Sequence, residues 1–277
     1  MEYFFGICEW SLPVSGPLAI RLAKEAGFDG MQIGEAGGRQ MGYPLNHKSV
    51  QEIYKETAAQ CKLKLHSLNL GALLSEGTMN YAPETKEGGH ARKSLVNGFA
   101  ACRDLDIHTV VITADPTEKT FDHILSHLNF ACRLAEDSGV EIAVESGRPL
   151  EMIERLLGAL DGDVKVCMDV LNPFRFGTGN AHEQIRRFGR DRISHFHMKD
   201  SRKELFEAGQ RGCVPLGEGD GGYEKSVEII KETGYEGWVF TENYYYLPPM
   251  NQGDADFLAL AEQDLERMRR PFFAKEV

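Results

Sequence analysis

The sequence predicts one (β/α)8 TIM barrel, an α/β fold, on three observations: eight short apolar runs punctuate the chain, stretches of helical period separate them, and glycine stands where several of those stretches give way to the next run. The series opens with YFFGIC at 3–8, and PLAIRLAKEAG behind it places apolar residues three and four apart, as an amphipathic helix does. DGMQIG (29–34) precedes the helical VQEIYKETAAQC, LKLHSLNL (63–70) precedes ARKSLVNGFAACRDL, and HTVVITA (108–114) precedes FDHILSHLNFACRLAEDSG. EIAVES (141–146) leads to LEMIERLLGAL, followed by VKVCMDV (164–170), RISHFHM (192–198) with YEKSVEIIKETG, and GWVFTEN (237–243). The glycines of EAGFDG, EDSGVEI and ETGYEG read as left-handed helix caps feeding strands.

Such β-then-α alternation, with strands apolar on both faces, implies a parallel sheet with helices outside, and eight units in roughly 250 residues match a closed barrel. An open doubly wound sheet is the rival, disfavoured because CEWSLPVSG, and not a GxGxxG dinucleotide loop, follows the first run. The chain reads as a single domain over residues 1–277, with a C-terminal helical extension from about 253 to 277.

Composition excludes several classes. At 42% hydrophobic and 26% charged, the chain supports a sizeable core and is not disordered. A net charge of −11 opposes a long phosphate-backbone contact, so nucleic acid is not an expected partner. MEYFFGICEW lacks a basic n-region and a cleavage site, and no apolar run is long enough for a bilayer; the expectation is a cytoplasmic protein without a membrane partner. Cys8, Cys61, Cys102, Cys132, Cys167 and Cys213 form no CxxC pair and read as buried free thiols.

In a barrel the strand C-terminal ends open onto the active-site face, so a charged side chain ending a buried strand is informative. Glu145 closes EIAVE, Asp169 closes KVCMD, His197 lies in SHFHM and Glu242 closes WVFTE. Singly, each carboxylate has a bland reading as a helix cap or a surface ion-pair partner. Together, three carboxylates at one mouth repel one another unless a cation compensates them, and a divalent ion with carboxylate and imidazole ligands is that cation. His195 points to the same side as His197 and is read as a hydrogen-bonded neighbour, and His66 projects from the third strand either as a satisfied interior residue or toward substrate.

These stretches, AVES around Glu145, CMDVLNP around Asp169, HFHMKDS around His197 and PLGEGDGGYEKSVEIIKETGYEGWVFTEN leading to Glu242, resemble the xylose-isomerase-like TIM-barrel superfamily of sugar 3-epimerases, inosose isomerases and dehydratases, hydroxypyruvate isomerases and endonuclease IV. The resemblance covers nearly the whole chain and implies that Glu145, Asp169, His197 and Glu242 bind one divalent metal, with Mn²⁺ favoured and Mg²⁺, Co²⁺ or Zn²⁺ as alternatives, while Glu145 and Glu242 exchange protons with substrate. Two departures stand out. Asn172 occupies the position three after the strand-six Asp where many members have His, and Gln32 ends strand two where related chains often carry Glu.

The chemistry implied is isomerisation or epimerisation of a small sugar by proton transfer next to a carbonyl, through a metal-stabilised enediolate. His66, His195, Trp10, Lys199 and Arg202 are the candidate substrate contacts; Lys199 reads equally as a surface charge paired with Asp200, Trp10 equally as a core residue, and Glu9 as a substrate contact or a helix cap. The glycine-rich segment at Gly217, Glu218, Gly219 and Asp220 looks like a phosphate cradle, but its two acids favour an unphosphorylated polyol unless Arg148, Arg175 or Arg202 pairs with an anion. A keto-sugar or inosose dehydratase or lyase begins from the same enolate and is the main alternative. An endonuclease IV-like phosphodiesterase is disfavoured because no histidine follows His197. Tyr244, Tyr245 and Tyr246 with LPPMNQGDADF read as an aromatic rim, hence the expectation of a homodimer.

Overall fold

Each apolar run becomes a strand, and each strand hydrogen-bonds in parallel to its sequence neighbours until the last meets the first. The computed structural model describes residues 2–210 and 212–273. Its strands are β1 (Tyr3–Cys8), β2 (Gly30–Gly34), β3 (Lys64–Asn69), β4 (Thr109–Thr113), β5 (Glu141–Glu145), β6 (Val164–Asp169), β7 (Ile193–Met198) and β8 (Gly237–Thr241), closed in the order β1 to β8. Closure is sealed by β1 against β8, from Tyr3 opposite Gly237 to Ile7 opposite Thr241.

The principal helices are α1 (Gly16–Glu25), α2 (Lys48–Cys61), α3 (Lys86–Leu105), α4 (Phe121–Ser138), α5 (Leu150–Gly158), α6 (Ala181–Arg192), α7 (Tyr223–Glu232) and α8 (Phe257–Phe273). The glycines expected to end helices do so with positive φ, for example 68° at Gly139 after α4 and 70° at Gly234 after α7. α8 lies within the segment read as a C-terminal extension, whose residues 274–277, like Met1, lie outside the described residues. It is the eighth helix of the ring and not an appendage: Phe272 packs on Tyr3 and Phe5 of β1, with ring centroids at 4.6 and 5.8 Å. Among the described residues no helix is long and apolar enough to cross a membrane, and all six cysteines are free thiols.

The barrel interior is filled, not hollow. Its lower layers hold His66, His195, Trp238 and Phe240, whose rings meet at centroid distances of 4.9–5.5 Å. Gly6 makes room for them, since a Cβ there would lie 2.2 Å from the Phe240 ring. Gly6→Ala is therefore expected to cost about 1–3 kcal/mol by overpacking, read as a lower midpoint of urea unfolding with an unchanged slope.

Candidate metal centre and active-site cavity

Parallel strands end together, so side chains at the ends of β5, β6, β7 and β8 share one mouth. Register places Asp169 opposite His197. Glu242 stands one residue beyond β8, where its N–H still donates to the Met198 carbonyl at 2.9 Å. As a result Glu145, Asp169, His197 and Glu242 each offer a ligand atom, all within 4.8 Å of one another, and all four side chains are buried.

Their outer atoms are fixed by neighbours. Asp169 Oδ1 accepts N–H bonds from Leu171 and Asn172 at 2.8 and 2.6 Å. Glu145 accepts from Asn172 Nδ2 at 3.1 Å and Thr113 Oγ1 at 3.4 Å. Glu242 Oε1 accepts from Trp10 Nε1 at 2.9 Å, and Lys199 Nζ lies 2.7 Å from Glu242 Oε2 and 2.8 Å from Asp169 Oδ2.

His197 decides what the cluster holds. Its Nε2 lies 2.7 Å from Gln32 Oε1, and with the Gln32 amide in this orientation Nε2 is the protonated nitrogen that donates to it. Nδ1 has no hydrogen-bond partner, yet it faces Glu242 Oε2 at 3.4 Å and Glu145 Oε1 at 3.8 Å. A lone pair aimed at two carboxylate oxygens is repulsive unless a proton or a metal ion lies between them. The imidazole pKa shows the same demand: burial lowers it, but the thiols of Cys167 and Cys8 and the Glu242 carboxylate raise it well above its ordinary value. Local cations do not suffice for all the acids. Burial raises Glu242, but Lys199 and His197 more than reverse this and hold it well below the usual carboxylate range. Asp169 is pushed up to about 6 by burial despite Lys199, with Glu242 and Glu145 adding to the rise. Three oxygen donors and one imidazole with a free lone pair fit a divalent ion.

The floor beneath is neutral. Burial, with Lys64 and His197 assisting, lowers the His66 pKa to about 3, and burial, with His66 and His197, lowers His195 well below its usual value. Burial also raises the thiols of Cys8 and Cys167 to about 11 and about 12.

The sequence profile of the family described as "Xylose isomerase-like TIM barrel" matches residues 20–270. The chain belongs to this family. A relative from an Actinoplanes species, named 2-epi-5-epi-valiolone 7-phosphate 2-epimerase, is 26% identical over 230 residues, covering 82% of this chain and 81% of its own. Among solved structures, D-psicose 3-epimerase in the presence of D-fructose superposes with a TM-score of 0.74 at 15% identity, covering 96% of each chain. The IolI protein with a bound zinc atom gives 0.72 at 18% identity, covering 97% of this chain and 96% of that one. This chain also spans 42% of the length of a xylose isomerase-like TIM barrel/4-hydroxyphenylpyruvate dioxygenase fusion protein, with a TM-score of 0.72 and 16% identity.

In this xylose isomerase-like barrel the expected substrate contacts divide. Trp10 and Lys199 line a cavity of about 550 Å³ above Glu145 and Glu242. His66 and His195 do not reach it: they belong to the neutral packing below, and their Nδ1 and Nε2 respectively have no hydrogen-bond partner. Arg202 is exposed at the start of the short helix Lys203–Glu207 and is absent from the cavity wall. Lys199 is no surface charge, at 4% exposure. Asp200, offered as its partner, is instead enclosed by the glycine-rich segment, whose Gly217, Gly219 and Gly221 N–H groups, with that of Ser201, all donate to its carboxylate at 2.9–3.0 Å. The segment that looked like a phosphate cradle is thus filled by the chain's own anion. Glu9 accepts from the N–H groups of Gly16 and Gly34 and so caps α1. Tyr244 lines the cavity, Tyr245 is fully buried with its hydroxyl bonded to Thr241 and Asp264, and only Tyr246 of the three is exposed.

Thr113, Asn69 and Asp115 of the cavity wall were not singled out from sequence, although each stands at or just past a strand end, which is the signal that marks them. Gln32 was noticed only as a departure, and its role as the partner of His197 depends on packing across the barrel. Replacing Lys199 with Met removes the cation between Asp169 and Glu242. In metal-free protein the expected loss is about 3–5 kcal/mol, measured by chemical denaturation.

Proposed function

We propose that this chain is a divalent-metal-dependent sugar isomerase or epimerase that moves a proton on carbon next to a carbonyl. The observation that carries the reading is the convergence of Glu145, Asp169, His197 and Glu242 within 4.8 Å at the cavity floor, with the unpartnered His197 Nδ1 among them. Membership of the xylose isomerase-like family and a relative named as an epimerase support it.

A divalent ion held by these four residues supplies the electrophile that stabilises charge developing on substrate oxygens. Mn²⁺ is the favoured ion, since a site of mostly oxygen donors with one imidazole suits it, as it also suits Mg²⁺, Co²⁺ or Zn²⁺. Glu145 and Glu242 are the proton carriers. They come from β5 and from the end of β8, so a substrate lying between them meets a carboxyl group from two directions. One removes the proton to leave an enediolate and the other returns a proton, to the opposite face or the neighbouring carbon. Asn172 and Thr113 hold Glu145 in place, and Trp10 and Lys199 hold Glu242. The Trp10 ring forms part of the apolar wall against which a sugar lies.

In D₂O, the Mn²⁺-loaded protein screened against ketoses and their phosphate esters is expected to place deuterium next to the carbonyl of its substrate, with no loss of water from the product. Glu145→Gln and Glu242→Gln should each slow that exchange by about a hundredfold or more. Exchange that survives both substitutions, or exhaustive chelation, removes the proposal. Gln32→Leu frees the His197 tautomer and should weaken metal binding by about ten- to a hundredfold, measured by competition with a fluorescent chelator.

A further inference from the structure

One cation on the cavity wall has no work in the chemistry above. Arg175 ends the short helix Asn172–Arg175, about 4.5 Å along the helix axis from Asn172, whose side chain holds Glu145. It lines the same cavity as Glu145 and Glu242. Its Nε and Nη2 are buried and have no hydrogen-bond partner, while the guanidinium does bond the Cys213 thiol. A thiol does not neutralise a cation, and a guanidinium cannot shed its charge by losing a proton. Two buried N–H donors left unpaired on the guanidinium of a half-buried side chain are costly unless a ligand completes them.

The other cations of this region are committed or stand outside the cavity. Lys199 bridges Asp169 and Glu242; Arg148, whose Nε has no hydrogen-bond partner and lies 4.0 Å from Asp115, is not part of the cavity wall; and Arg202 is exposed. The glycine-rich segment is closed to an outside anion by Asp200, and a Cβ at Gly219 would already lie 2.3 Å from that carboxylate.

We infer that Arg175 is the anion-recognition residue of this cavity and that the substrate is a phosphorylated sugar or polyol whose phosphate accepts the Nε and Nη2 edge of its guanidinium. This rests on the sugar isomerase or epimerase reading and names its substrate class. Nε and Nη2 form one edge of a planar fork whose spacing matches two oxygens of a phosphate. A phosphate monoester also keeps a third oxygen for solvent at the mouth, whereas a carboxylate spends both of its own. The earlier preference for an unphosphorylated polyol rested on the acids of the glycine-rich segment, and that segment takes no part in the cavity.

The test uses compounds without a carbonyl, so that binding is read without turnover. Calorimetry on Mn²⁺-loaded protein compares D-glucitol 6-phosphate with D-glucitol, and D-gluconate serves as the carboxylate control. The phosphate ester is expected to bind at least tenfold more tightly than either comparison compound. Arg175→Gln should bring its affinity to within about threefold of D-glucitol, Arg175→Lys should retain part of the preference, and Arg202→Gln should leave it intact. Glu242→Gln, which the proposed function makes inactive, should keep the preference, so a failure of the acid–base reading is separable from a failure here. Equal affinity for ester and polyol in the wild-type protein, no detectable binding of the ester, a preference for gluconate, or a preference unaltered by Arg175→Gln in protein that keeps its thermal midpoint overturns the inference.

Discussion

The constraint on which the rest depends is electrostatic: three carboxylates converge on one side of a buried imidazole, above a floor that carries no charge. Below them lie neutral histidines, protonated thiols and aromatic rings, and none of these screens one acid from another. Lys199 is the one ammonium in contact with the cluster among the described residues, and it serves Glu242 better than Asp169. The surrounding hydrogen bonds act on the outer atoms, from Trp10, Thr113, Asn172 and two backbone amides, and they leave the inner atoms facing one another. Such an arrangement stabilises a positive charge at its centre more than any neutral filling.

Other buried acids of the same chain show what the quartet is not. Asp200 accepts four backbone N–H bonds, Glu9 accepts two, and Asp264 accepts from the Leu216 amide, the Asn243 side chain and the Tyr245 hydroxyl. These are satisfied carboxylates, each tying a loop or a helix end to the barrel. Asp200 is the instructive neighbour, because it lies three residues after His197 and its own glycine-rich enclosure keeps its charge out of the cavity. The barrel thus separates acids that fasten loops from acids left to act on something else.

Strands were legible because burial on both faces leaves an uninterrupted apolar run, and a charged residue at the end of such a run has few destinations other than the mouth. Hence Glu145, Asp169, His197 and Glu242 stand out from their places at strand ends, with the family resemblance pointing to the same four, and the structure brings them together. Depth along a strand was less legible. His195 precedes His197 by two residues and points the same way, but one step lower, which removes it from the cavity; His66 lies beside it, ring centroids 5.1 Å apart, at an irregularity in the register of β2 with β3. Loop side chains were least legible. Arg148, Arg175 and Arg202 read alike in the sequence as partners for an anion, with Arg202 also a candidate substrate contact, yet of the three only Arg175 stands on the cavity wall, while Arg202 is exposed. Tyr245 lies in the core because its hydroxyl has Asp264 of α8 to meet, a partner 19 residues away that no local pattern reveals.

Net charge looks at first like an obstacle to an anionic substrate, since the chain carries −11 overall. It is a weak one. Surface charges more than about 8 Å away are largely screened at physiological ionic strength, so most of that total is not felt inside the cavity. On the proposed reading, what a substrate would meet there is a short-range pattern: the acid cluster that would hold a divalent ion at the floor, Lys199 between Asp169 and Glu242, and Arg175 on the wall. Opposite demands at separate points fix orientation as well as affinity. On the proposed reading, a polyol with a carbonyl at one end and a phosphate at the other would set its phosphate at Arg175 and its carbonyl end at Glu145 and Glu242.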